Sequence, residues 1–139
     1  MTNLKQSQIA GVYIEEKILT QEQRTARQER YWRECENRER QRASAEQYGL
    51  PALKRLIEVA RRNTGQSQVC GRFLLALYNS YAFPFNMTDL RRLDESLWDD
   101  CISVLKLDRR PKREIHLQLD DGPSVWDELK TAWATDCYQ

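Results

Sequence analysis

The stretch TQEQRTARQERYWRECENRERQRASAEQY, residues 20–48, decides how the rest of the chain is read. It holds seven Arg, six Glu and five Gln, and no Gly, Pro, Val, Ile, Leu, Met or Phe. Such residues favour helix, because their unbranched side chains lose little freedom there. Thr20 and Gln23 have the spacing of a capping box. Glu29–Arg33, Glu34–Arg38 and Glu36–Arg40 are i,i+4 pairs, each adding about 0.2–0.5 kcal/mol to an exposed helix. Yet the stretch has no apolar stripe and no heptad seam, so neither a core nor a coiled coil explains it. Its non-polar side chains gather at Tyr31, Trp32 and Cys35. A helix of this kind faces solvent or a partner. Trp, Tyr and Arg are the types enriched at interface hot spots. Tyr31, Trp32, Arg27, Arg30 and Arg38 are therefore the candidate partner-binding residues, together with Val12, Tyr13 and Ile14 of the preceding segment.

Working outward, residues 1–19 read as an N-terminal docking segment, 20–48 as a charged helical arm and 49–139 as a compact domain. Tyr48-Gly49 reads as the end of the arm, and Leu50-Pro51 as the first turn of a new helix, where proline's missing N–H is harmless. Leu53, Leu56, Ile57 and Ala60 then supply an i, i+3, i+4, i+7 stripe. Thr64-Gly65 ends that helix. Ser67 is placed to cap the next, which carries Val69, Cys70, Phe73, Leu74, Leu77 and Tyr78 and reads as the central helix. Phe83 and Phe85 lie on a loop at the core edge, and Thr88 can cap a short turn holding Leu90 and Leu93. Asp94 caps a helix bearing Leu97, Trp98, Cys101, Ile102, Val104 and Leu105. Ile115, Leu117 and Leu119 alternate with polar residues, a period of two that fits a strand or an irregular extended pass. The segment near Val12–Ile14 is a candidate partner strand. Ser124 can cap a last helix with Val125, Trp126, Leu129 and Trp133. The expected fold is mainly α: a bundle of about four helices, a long polar N-terminal helical arm, and at most a minor strand near 114–119.

Charge is balanced, 22 Lys+Arg against 21 Asp+Glu. That excludes a strongly basic nucleic-acid binder and an acidic nucleic-acid mimic at the level of the whole chain. The one local exception is Arg109-Arg110-Pro111-Lys112-Arg113, where Arg109, Arg110, Lys112 and Arg113 form a candidate nucleic-acid contact. Its simpler reading is charge complementing a helix C-terminus. The four cysteines form no CxxC pair, and no signal peptide precedes them, so a reduced, cytoplasmic setting is expected. No segment has the apolar length of a membrane span.

Chemistry-bearing constellations are sparse. His116 is the single histidine and has no matched nucleophile. Cys35 lies among arginines but reads as a surface thiol. Asp94, Glu95, Asp99 and Asp100 read as a solvated helix start rather than a metal or acid–base site. Thr64-Gly65-Gln66-Ser67 lacks the lysine of a phosphate loop. The chain is thus expected not to be an enzyme, with no catalytic residues, no metal and no cofactor.

Thr64-Gly65-Gln66-Ser67, Phe73 through Asn79, Thr88-Asp89-Leu90, Leu93-Asp94, Cys101, Val104-Leu105, Glu114, His116, Val125-Trp126 and Trp133 form a recognisable set. On them, residues 49–133 resemble an uncharacterised domain family carried on plasmids and integrative conjugative elements of proteobacteria. The resemblance implies a fold and a mobile-element setting, and no enzyme reaction. The function expected is a protein-interaction module engaging a larger protein or ribonucleoprotein complex. Its concrete form is a stoichiometric inhibitor of a host defence complex, of the anti-CRISPR type. The alternative is a nucleic-acid-binding accessory protein using residues 109–113.

Overall fold

The structure, a computed structural model, describes residues 19–134. The docking segment expected at residues 1–19, with Val12, Tyr13 and Ile14, lies outside the described residues apart from Leu19. So does Cys137. The chain divides into two units, one ending at Arg40 and one beginning at Gln41. Among the described residues there are four α-helices, two short 3-10 helices and no strand. Helix α1 is Gln21–Ala60, α2 is Gly65–Asn79, α3 is Glu95–Arg109 and α4 is Gly122–Trp133. The 3-10 helices are Met87–Arg92 and Ile115–Leu117.

Helix α1 starts with the capping box its sequence announces. Thr20 N–H donates to Gln23 Oε1 at 3.0 Å, and Gln23 N–H donates to Thr20 Oγ1 at 3.2 Å. It does not stop at Tyr48-Gly49. The helix runs through Gly49 and Pro51 to Ala60, where the sequence suggested a break and a new start. Proline inside a helix costs about 3 kcal/mol through its lost N–H and ring clash. Burial on the same helix offsets this: Ala52, Leu53 and Leu56 are fully buried and Ile57 nearly so, each large side chain contributing about 1.5–3 kcal/mol. Gly49 is not a left-handed cap either, since no described residue has positive φ. It is a point of close approach, where an added Cβ would lie 2.7 Å from Leu107 Cβ and 3.1 Å from the Ser103 carbonyl oxygen.

From Gly49 onward α1 lies against α3. Gly49 meets Leu107, and Arg55 meets Asp100, so the two helices run antiparallel. Arg55 Nε and Nη2 donate to the Asp100 carboxylate at 2.8–3.2 Å. Asp100 is buried and Arg55 largely exposed. The fork delivers two donors to a carboxylate withdrawn from water, and this geometry makes such pairs strong. The Asp100 hydrogen bond is also the main reason the Arg55 guanidinium holds its proton more tightly than usual.

Helix α2 is central. Val69, Cys70, Phe73, Leu74 and Leu75 are buried on it, and it contacts α4 and both 3-10 helices. Thr64 rather than Ser67 caps it, accepting from Ser67 N–H at 3.1 Å while the two hydroxyls lie 2.7 Å apart. The first 3-10 helix is also capped earlier than expected, two residues before Thr88, by Asn86, which accepts from Thr88 N–H at 3.1 Å. Asp94 caps α3 as read, accepting from Leu97 N–H at 2.8 Å. Phe85 meets Phe73 edge-on at 5.9 Å and Phe83 lies by Tyr78, so both loop aromatics close the core edge.

The alternation at 115–119 makes a 3-10 turn, not a strand. Leu117 N–H donates to Glu114 O at 2.9 Å, and the Gln118 side chain donates to Arg113 O at 2.9 Å. Local bonds thus satisfy the backbone where a strand would need a neighbour. Only one end of the alternating set is fully buried: Ile115 is at 0 % exposure while Leu117 is at 46 %. Gly122 then backs onto the His116 carbonyl, where any Cβ would collide. Helix α4 begins there, one turn region ahead of Ser124, with Pro123 in its first turn. It closes the bundle with two indoles. Trp126 Nε1 donates to Leu74 O at 3.4 Å and Trp133 Nε1 to Ala60 O at 2.9 Å. Trp133 lies across Gly71, which has no side chain to displace it.

Candidate partner-binding surfaces

Residues 21–40 form a helical segment with no buried side chain; only Cys35 is even half-buried. Tyr31 and Trp32 are each 57 % exposed. Their rings meet edge-on at 5.8 Å between centroids. That arrangement suits the aromatic quadrupoles and leaves more than half of each side chain exposed. Arg27, Arg30 and Arg38 are exposed around them. Arg38 lies 3.9 Å from Glu34, and Arg40 lies 3.9 Å from Glu36, both i,i+4. At that separation in water such pairs contribute little and leave the guanidinium free to exchange partners.

Of the second candidate group, Arg109 lies in the last turn of α3 and Arg110 at its C-cap. Lys112 and Arg113 follow, and all four are exposed. The segment is bracketed by acid. Lys112 Nζ is 3.8 Å from Glu46, and Asp108 and Glu114 flank the run. Burial pushes the Asp108 carboxyl above its usual range, with the Glu114 charge adding to it. The patch is therefore basic over a few ångströms only, and part of its charge serves the α3 C-terminus.

The carboxylate row at the start of α3 splits into separate tasks. Asp94 caps the helix, Asp100 holds Arg55, and Glu95 and Asp99 face solvent. Among the described residues no three His, Cys, Asp or Glu side chains gather as metal ligands would. Cys70 and Cys101 are fully buried, and burial pushes both thiols up to about 12. At neutral pH they stay protonated and act as small apolar residues.

Three details escape a reading of pattern alone. Trp98 is 41 % exposed; the buried set of α3 is Leu97, Asp100, Cys101, Val104 and Leu107, and position 98 sits about 100° off that stripe. Tyr48, Tyr81 and Met87 are also exposed. His116 is not simply solvent-facing. Its ring stands edge-on to Tyr78 at 4.8 Å, its Nδ1 is buried without a hydrogen-bond partner, and Lys130 Nζ lies 4.6 Å from the Tyr78 ring centroid. That contact joins α2 to α4 and the second 3-10 helix, a packing role.

No described helix is long and apolar enough to cross a membrane. No curated protein matches the chain, and no solved structure does. Residues 50–134 match the family of unknown function DUF7673, an interval that takes in α1 from Leu50 onward and everything to Ala134. The sequence features from Thr64 to Trp133 and the helical bundle they build are therefore those of a DUF7673 domain, and the chain belongs to that family.

Proposed function

We propose that this chain is a non-enzymatic protein-interaction module, and that residues 21–40 of α1 carry the contact with a larger protein or ribonucleoprotein complex. One observation supports this above the rest. A helical segment without a single buried side chain exposes adjacent Tyr31 and Trp32 among arginines. Ordering two large rings in water has no return within the segment. Against a partner they offer large contact area at low entropic cost. The segment also lies outside the matched interval, where a feature specific to this member belongs. The mobile-element resemblance supports a finer form, in which the partner is a host defence complex and the protein is a stoichiometric inhibitor of the anti-CRISPR type. Balanced charge favours blocking or displacing protein subunits over mimicking nucleic acid.

The test is affinity capture from the native host with the tagged full chain and with Tyr31→Ala/Trp32→Ala. A partner retained in fixed stoichiometry by the first and lost by the second supports the reading. Equal retention by both removes residues 21–40 as the contact.

The alternative, a nucleic-acid-binding accessory protein, draws on the exposure of Arg109, Arg110, Lys112 and Arg113. It requires binding to duplex DNA or RNA that weakens steeply with salt and disappears on charge reversal of those four residues.

A further inference from the structure

The charges of residues 21–40 interleave along the sequence, but helix geometry sorts them. At about 100° per residue, Arg24, Arg27 and Arg38 fall within about 40° of the direction of Tyr31, as does Cys35. Two acidic residues border this face: Glu34, about 60° away and beside Arg38, and Glu39, about 80° away on the other side. The opposite face gathers Glu22, Glu29 and Glu36 with Arg33 and Arg40, and Glu36 and Arg40 pair there. One side of the helix thus presents three exposed arginines around a tyrosine, and the other is net acidic. The basic face extends about 21 Å, from Arg24 to Arg38.

We infer that this face binds an acidic protein surface, in the form of a helix whose carboxylates flank an apolar residue seated on Tyr31. The inference rests on the reading of residues 21–40 as the partner contact and specifies what that partner presents. Charge complementarity carries it: guanidinium forks pair bidentately with carboxylates, and arginine is weakly hydrated, so it tolerates a closed interface. A second copy of this chain does not fit. Two-fold antiparallel pairing centred on Tyr31 sets Arg24 against Arg38 of the other copy, like charge on like, twice over. A phosphate backbone fits less well. The acidic back of the helix lies about one helix diameter away, 10–12 Å, close to the Debye length of about 8 Å. The field is therefore weak at range and strong only at contact, whereas phosphate binding depends on net basic charge over a region.

The experiment uses the full chain and two probes: a fluorescent amphipathic peptide helix with glutamates flanking a central leucine, and a DNA duplex of similar length. Anisotropy is read for wild type, for R24E/R27E/R38E, and for the opposite-face variant E22R/E29R/E36R. R24Q/R27Q/R38Q keeps helix propensity should the reversed triple lose helicity by circular dichroism. The expected result is peptide binding that falls by about tenfold or more in either arginine variant and holds or tightens in the opposite-face variant. Tighter binding to the duplex than to the peptide overturns the inference, as does self-association in sedimentation that Tyr31→Ala abolishes. So does equal peptide binding by wild type and arginine variants. Failure here is separable from failure of the broader reading. If Tyr31→Ala/Trp32→Ala loses the captured host partner while R24Q/R27Q/R38Q keeps it, residues 21–40 remain the contact and the acidic occupant is wrong.

Discussion

Residues 21–40 and 49–60 belong to one α-helix and answer to opposite constraints. The first stretch is held by its capping box, its i,i+4 pairs and its helix-favouring composition, and buries nothing. The second contains a glycine and a proline, both poor helix residues, and is helical because Gly49, Ala52, Leu53, Leu56, Ile57 and Ala60 are buried. Helicity therefore has two independent causes in one element. Where propensity supplies it, side chains are left exposed. Where packing supplies it, side chains are committed to the core, and propensity can be overridden.

If burial sustains the bundle, the largest effect comes from ionising its thiols. A cysteine in an unfolded chain titrates near 9, and burial in the native protein pushes the Cys70 and Cys101 thiols up to about 12. Raised thiol values mean the native state holds its protons longer. Their stabilising contribution is complete below about pH 9 and is lost as pH rises toward about 12. Chemical denaturation midpoints measured across that window should fall, while thiol labelling at neutral pH leaves both cysteines unmodified until the protein unfolds. Next, Leu53→Ala should destabilise by about 3 kcal/mol in urea unfolding. Arg55→Ala should cost about 2 kcal/mol, because it leaves the Asp100 carboxylate buried with its donors gone; Arg55→Lys, unable to reproduce the fork, should recover only part. Gly49→Ala should cost about 1 kcal/mol, since the crowding against Leu107 and Ser103 outweighs alanine's better helix propensity. At the bottom of the scale, Trp32→Ala should change stability by less than about 0.5 kcal/mol and yet abolish partner capture. A large loss of stability from Trp32→Ala would mean that residues 21–40 are structural after all.

Much of this could be read from residues alone where local chemistry decides. Thr20–Gln23, Asp94 and the Leu53–Leu56–Ile57–Ala60 stripe behave as written because each relies on neighbours within a turn or two. Tyr31 and Trp32 were visible as candidates because nothing near them in sequence could cover them. Reading stopped where a distant contact decides. Gly49-Leu50-Pro51 carries a stop signal that Leu107 and Ser103, more than fifty residues on, override. Ile115–Leu119 fails for the opposite reason: it alternates like a strand, yet local bonds around Gln118 and Gly122 close it into a turn that the alternation does not register. The sorting of charge on residues 21–40 lay in between: the residues are plain, and only their angular placement on a helix turns an apparent cancellation into two faces.

The Trp133 indole that donates to Ala60 O and lies over Gly71 also has a bearing on how the chain is made. Ala60 and Gly71 leave the ribosome long before Trp133 does. Until α4 arrives, the part of α1 and α2 that Trp126 and Trp133 cover stays open, and the nascent chain must be shielded or stay loosely collapsed. Helix α4 is synthesised after the elements it seals, so a ribosome stalled before residue 133 would hold an open bundle.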